Sequence, residues 1–316
     1  MLSRVADSLY WMSRYLERAE HTARLLDVNL NLMLDESSTS AEHRWLRVLH
    51  TLGHPKGIEW SGDPYQLTST LSHDFNLSAS IVSCIIAARE NSRHVREQIS
   101  TEQWHRLNSL YLEVTKPNQS DDREEFLQFV TDSIHQFQGI TDSTMSHGEG
   151  WQFIQVGRFI ERASATAMLL EAYHEDLWIH PEHIPEGNEY LEWMGLLRSA
   201  TAFEAYCKVY TADLTPDQIL EFLLLDEQFP HSLRFAIDSL QSALEEIQRE
   251  SGKTRAEPLH RLGGRLQSML SYSSVEDILR QDIVGVLRNI QLQCRAIHNT
   301  IYELYVDYPI QSALAG

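Results

Sequence analysis

The sequence predicts an all-α fold: a duplicated helical bundle whose two similar halves are related by a pseudo-two-fold axis. Three observations carry the prediction. The first 35 residues hold an unbroken helical period. Glycine (14) and proline (9) are scarce in 316 residues, which argues against sandwiches, barrels and Rossmann folds with their many tight turns. Three stretches recur in the same order along the chain.

The first element is the clearest. Leu2, Val5, Leu9, Met12, Leu16, Ala19, Ala23, Leu26, Leu30 and Met33 alternate three and four apart, a helical seam close to a heptad that no strand can produce. Ala19 and Ala23 leave room for a second helix to come close. Further helices are expected over 40–52, 78–98, 101–116, 122–144, 148–174, 188–210, 216–226, 230–250, 256–270 and 274–308. Ser100 through Gln103 reads as a capping box, Thr215-Pro216-Asp217-Gln218 as an N-cap followed by a first-turn proline, and Pro230 as the opening of a helix. The segments 54–64, 116–121 and 178–187 read as loops.

The repeat is read residue by residue. RYLERAEHTARLL from Arg14 matches RFIERASATAMLL from Arg158, 144 residues later. Trp45 and Leu49 match Trp193 and Leu197, 148 residues later, and the stretch from Ser80 resembles that from Gln218, 138 residues later. An ancient duplication explains the ordered set, with 1–144 as the first helical repeat and 145–316 as the second, sharing one core. The first helix is then expected to pack on its copy near the axis.

Composition limits the function. Acids outnumber bases 45 to 26, a formal charge of −19, which repels nucleic-acid backbones and anionic lipid. Neither nucleic acid nor a membrane is an expected partner. The near-apolar run Ile81 to Ala88 is far too short to span a bilayer. Charges interrupt the N-terminal stretch, so no signal peptide is expected. Three scattered cysteines without CxxC spacing fit a reducing compartment, and the expected location is the cytoplasm.

In so acidic a chain the arginines on apolar helices stand out. With the seam of the first helix at zero, Arg14, Arg18, His21 and Leu25 fall on the far side and Glu17 on a flank. The Arg-Glu-Arg set is therefore expected to be partly buried beneath neighbouring helices. Glu17 can pair with Arg14, or with an arginine of another helix. Two readings stay open. Glu17-Arg18 and Glu161-Arg162 form an ionic lock, or they line a pocket in which Arg14, Arg18, Arg158 and Arg162 hold an anion. In an enzyme, Glu17 or Glu161 would be the general base. A second basic group, Arg89, Asn91, Arg93 and Arg96, is either a binding surface or part of a salt-bridge network between the halves.

The pairs Glu17/His21, Glu90/His94 and Glu227/His231 lie four apart, but no Glu-x-x-His frame recurs, so neither metal nor cofactor is expected. Phosphate-binding and nucleophile motifs are absent.

LYWMSRYLERAEHTARLL, WQFIQVGRFIERA, ARENSRHVREQI and FLLLDEQFPHSLRF together resemble the alpha-E family. This is a group of uncharacterised, all-helical bacterial proteins with a repeated ER motif, and the resemblance runs from Leu2 to Tyr308. The family commonly carries Phe-Pro-Arg-Ser where this chain has Phe229-Pro230-His231-Ser232. If that arginine binds an anion in relatives, the contact here is weaker or pH-dependent. Such proteins are typically encoded beside a circularly permuted ATP-grasp protein, often near a transglutaminase-like protein. The resemblance therefore implies a helical accessory partner of an ATP-grasp amide ligase, in peptide or amide-metabolite synthesis. An enzyme acting on a carboxylate- or phosphate-bearing peptide-like substrate, and a purely structural interaction module, are the alternatives.

Overall fold

The computed structural model describes residues 1–33, 38–116, 123–179, 189–251 and 257–306. Every regular element among them is helical. In the first half α1 spans Ser3–Leu32, α2 Ser38–Thr51, α3 Pro64–His73, α4 Ile81–His94, α5 Thr101–Val114 and α6 Arg123–Thr144. Then follow α7 Glu149–His174, α8 Glu189–Ser199, α9 Phe203–Tyr210, α10 Pro216–Leu225, α11 Leu233–Ser251, α12 Glu257–Tyr272, α13 Val275–Leu279 and α14 Ile283–Ile301. Single π-helical turns extend α7 over Glu175–Ile179 and α14 over Tyr302–Val306.

The two longest helices, α1 and α7, pack on each other at the centre. Around α1 lie α4, α6 and α8; around α7 lie α11, α14 and α2. The seam residues Leu9, Met12, Ala19, Ala23 and Leu26 are fully buried, and so are Ala163 and Ala167 of α7. The far side of α1 is covered as well, for Leu25 is inaccessible and His21 nearly so. One residue sets the approach of the two helices. A Cβ on Gly157 would lie 2.4 Å from the Tyr10 carbonyl oxygen and 3.1 Å from Cβ of Ser13, so only glycine fits there.

Several boundaries differ from those expected, for local reasons. Asp63 caps α3, its carboxylate accepting from the amides of Tyr65 and Gln66, and Pro64 starts the helix. No helix was expected there, since PYQLTSTLSH is short and polar. The predicted 188–210 helix breaks at Ala200–Ala202, where Thr201 adopts a φ of 52°. The predicted 274–308 helix breaks between α13 and α14, and Ser274 caps α13 through the Asp277 amide. Pro230 opens no helix. It sits in a turn, and the Ser232 hydroxyl accepts from the Phe235 amide at the start of α11. The capping box at Ser100 and Gln103 forms as expected. Thr215 stands at an N-cap, but its hydroxyl donates to Gln218 rather than accepting from the backbone. Most of the loops expected at 116–121 and 178–187 lie outside the described residues.

Candidate functional site

The ER motifs meet where α1 crosses α7, and each glutamate is held by the opposite helix. Arg162 donates to Glu17 twice, from Nε at 2.5 Å and from Nη2 at 3.1 Å. Arg18 donates from Nε to Glu161 at 2.7 Å, and Arg14 takes the other carboxylate oxygen, also at 2.7 Å. Glu17 pairs with the other helix and not with Arg14, its neighbour three residues back. Both glutamates are buried. Burial by itself would raise the Glu161 pKa, but the Arg14 and Arg18 guanidiniums outweigh it and hold the carboxyl at about 2. Arg18 stays charged for the reciprocal reason: Glu161 more than offsets its desolvation.

The two sides of the lock are not equivalent. Glu161 accepts from two arginines. Glu17 accepts from Arg162 and from the Gln138 amide of α6, at 3.2 Å. Arg158 has no bond to Glu17. Among the described residues its one ion pair is with the half-exposed carboxylate of Asp142, at 3.6 Å, although its own side chain is nine-tenths buried. Burial, and then the neighbouring Arg162 charge, push the Arg158 pKa down.

A cavity opens on each side of this crossing. The larger, about 670 Å³, lies between α6, α7 and α11 and is lined by Arg158 and Arg162. The smaller, about 380 Å³, is lined by Arg14, Arg18, Glu161 and the α14 residues Cys294, Arg295 and His298. Both volumes fall in the range of small-molecule sites. In the smaller one, the Tyr10 hydroxyl and Arg14 Nη1 lie 2.8 and 3.2 Å from His298 Nδ1. With Arg14 also donating to the Tyr10 oxygen, Nδ1 is the acceptor and the ring is neutral, in keeping with a pKa lowered by burial and by Arg14. Burial pushes the Cys294 thiol up to about 12, so it is no nucleophile.

Arg89, Asn91 and Arg93 line neither cavity. Arg89 lies over the Tyr111 ring of α5 and bonds Glu90; Arg93 bonds Glu90 as well; the Asn91 amide donates to the Ala87 carbonyl. The network between halves expected at this stretch is replaced by pairs on α4 itself and stacking on α5. A second network joining distant segments is built from residues that no motif marks in the sequence. Arg44 donates to Glu192 at 2.5 Å, and Arg47 bonds both Glu192 and Asp176 while lying 4.1 Å from the Tyr173 ring centre. Their signal was available, because Arg44 and Glu192 directly precede the matched Trp45 and Trp193.

Behind the lock lies a polar cluster of Glu20, His21, Arg24, His135 and His231. Arg24 bonds Glu20 and donates to the Ser199 carbonyl. Burial, then Arg24, lowers the His21 pKa to about 4. Burial, then Arg162 and Arg24, carries His231 well below 6.5. Both rings stay neutral in the fold, so His231 is no pH-responsive substitute for an arginine near neutrality. The unfolded chain takes up these protons near pH 6.5, so the two rings are without effect above that pH and increasingly destabilising below it. His135, drawn upward by its bond to Glu20, acts in the opposite sense, and its exposed ring limits the effect. Urea unfolding at pH 8 and pH 5 should differ by about 2 kcal/mol through His21 alone. Equal stability at the two pH values would contradict a neutral, buried His21. The Glu161 contribution is present above about pH 4.5 and fades only as the pH falls toward 2.

Among the described residues no group of three or more His, Cys, Asp or Glu side chains could hold a metal ion, and no helix is long and apolar enough to cross a membrane. Three mycobacterial proteins, one from Mycobacterium bovis and two from Mycobacterium tuberculosis, are 22–23% identical to the chain over 97% of its length. They are named only as uncharacterised proteins, and the chain spans about 37% of their length. No solved structure matches the chain. A family model described as a predicted alpha-helical domain with a conserved ER motif matches residues 1–306. The chain belongs to the Alpha-E family.

Proposed function

We propose that this chain is a helical accessory partner of an ATP-grasp amide ligase, offering an arginine-lined surface to an anionic, peptide-like ligand or carrier. A transglutaminase-like protein is a further partner implied by the family resemblance. The observation that carries the reading is the pair of cavities flanking the ER crossing, each lined by one ER arginine and the arginine four residues before it, in a chain of net charge −19. Glutamates that neutralise arginines from across the crossing place cationic groups in concave sites without leaving them unpaired in the core.

The same reading takes the chain as two copies of one helical unit, 1–144 and 145–316, about a pseudo-two-fold axis. Reciprocal pairing of Glu17 with Arg162 and of Arg18 with Glu161 supports it. So does the contact of Ser13 with Gly157, residues 144 apart, since equivalent residues touch only at an axis. α2 packs on α7 as α8 packs on α1. The third repeat takes a different register from the match at Ser80 and Gln218. Asp74 accepts from the Asn76 amide as Asp226 does from Gln228, both at 2.8 Å. Ser80 bonds the Asp74 carbonyl and caps α4 as Ser232 bonds Asp226 and caps α11. These turns are 152 residues apart, continuing the series 144 and 148. The match 138 apart rested on two apolar helices that are not counterparts.

The enzyme reading draws less support. A carboxylate held at about 2 between two guanidiniums is a weak base, which counts against Glu161. Co-expression with the neighbouring ATP-grasp protein tests the proposal. The expected result is a complex that survives purification, or a change in ligase rate when the chain is added. Neither complex nor rate change would contradict it.

A further inference from the structure

The larger cavity differs from the smaller one in a way that points to its ligand. Arg14 closes on Glu161, Tyr10 and His298. Its counterpart Arg158 makes no bond to Glu17, whose oxygens already accept from Arg162 and from the Gln138 amide. A guanidinium nine-tenths buried, with one carboxylate 3.6 Å away, lines the cavity wall. Desolvated arginine is costly unless its fork is filled. An incoming carboxylate would fill it.

The remaining lining selects among anions. Asp142, Glu227, Asp238 and Glu246 also line the cavity. Each has an arginine partner, Arg158 for Asp142, Arg234 for Glu227 and Asp238, and Arg249 for Glu246, yet their remaining carboxylate oxygens suit a ligand that carries a positive group beside its carboxylate. Asp142 sits next to Arg158, whereas Asp238 and Glu246 come from α11 on the opposite wall. The site thus presents a buried guanidinium at one place and carboxylate oxygens, paired on their own helix with Arg234 and Arg249, across from it. Gln152, Gln155 and Ser239 supply amide and hydroxyl groups between, and Phe235 an apolar surface. Amide donors and acceptors with an aromatic face suit a peptide backbone and a side chain, and 670 Å³ exceeds what a single amino acid fills.

We propose that the cavity between α6, α7 and α11 binds a short zwitterionic peptide, its carboxylate on Arg158 and its ammonium toward Asp238 and Glu246. The proposal deepens the reading above by naming the ligand class, and rests on it only in treating the ER cavities as binding sites.

Calorimetric titration of the full chain with alanyl-phenylalanine and with trialanine tests it. Both peptides should bind. Their C-terminal amides and their N-acetyl forms should each bind at least about tenfold more weakly. Arg158→Met should abolish the preference for the free carboxylate, and Arg158→Lys should keep it in weakened form. Arg158→Met should leave thermal unfolding unchanged or raise its midpoint, because the arginine it removes is desolvated and loosely paired. No binding of either peptide at millimolar concentration would overturn the proposal. Equal affinity for acid and amide, an unchanged Arg158→Met variant, or tighter binding of inorganic phosphate would do the same. The titration uses the chain alone, so a missing ATP-grasp complex and a missing peptide site are separate results.

Discussion

Glu161→Gln is expected to lower stability by about 3–5 kcal/mol, measured by urea unfolding at pH 7. The carboxylate of Glu161 is the common acceptor of Arg14 and Arg18. Glutamine keeps the shape and removes the charge, leaving two guanidiniums largely out of water without a counter-ion. Arg14 keeps only neutral partners, Tyr10 and His298. The tyrosine offers no relief by ionising, because burial pushes its pKa up to about 12. The contrast is Arg93→Ala. Arg93 is more than half exposed and bonds a half-exposed Glu90, so its loss should change stability by less than about 0.5 kcal/mol. If Glu161→Gln cost as little as Arg93→Ala, the ER crossing would be wet and the lock would not hold α1 to α7.

Gly157→Val should abolish the folded state or leave it too unstable to purify. A side chain at 157 meets the Tyr10 carbonyl at 2.4 Å, and that atom belongs to the backbone of α1 and cannot rotate away. Even alanine must push α1 and α7 apart, which costs about 1–3 kcal/mol by overpacking. Displacing the helices would also lengthen the lock bonds four and five residues farther along each helix. Gly264 in α12 supplies the control, since nothing lies within 4 Å of its added Cβ. Gly264→Ala should raise stability by about 0.5–1 kcal/mol through helix propensity. A well-folded Gly157→Val protein would mean that the close crossing of α1 and α7 is wrongly placed.

Helical character was legible because apolar spacing of three and four leaves no other solution, and α1 and α7 begin and end within a few residues of the expected places. What escaped were features decided by single backbone positions. Thr201 takes a positive φ, and Pro230 lies in an Asp226 turn that Ser232, not the proline, converts into a helix. α3 escaped because ten mostly polar residues show no seam. At the site, the ER residues were legible as charges on otherwise apolar helices. Their partners were not, since spacing along one helix cannot tell an intrahelical pair from a bond across a crossing. The isolation of Arg158 was hidden for a related reason. Glu17 is taken up by Arg162 and by Gln138, which stands in a different helix. Arg44, Arg47 and Glu192 were visible only as neighbours of a recurring tryptophan, with no hint that opposite charges 148 residues apart would meet.

The central claim is that the two ER motifs bind each other across the α1–α7 crossing. A double-mutant cycle on Glu17→Gln and Arg162→Met, read by urea unfolding, tests it most directly. Each single variant strands a buried charge and should lose about 3–5 kcal/mol. The double variant removes both charges and should lose clearly less than the sum, with a coupling of about 2–3 kcal/mol. Additive losses, with coupling below about 0.5 kcal/mol, would show that Glu17 and Arg162 do not interact and would contradict the lock.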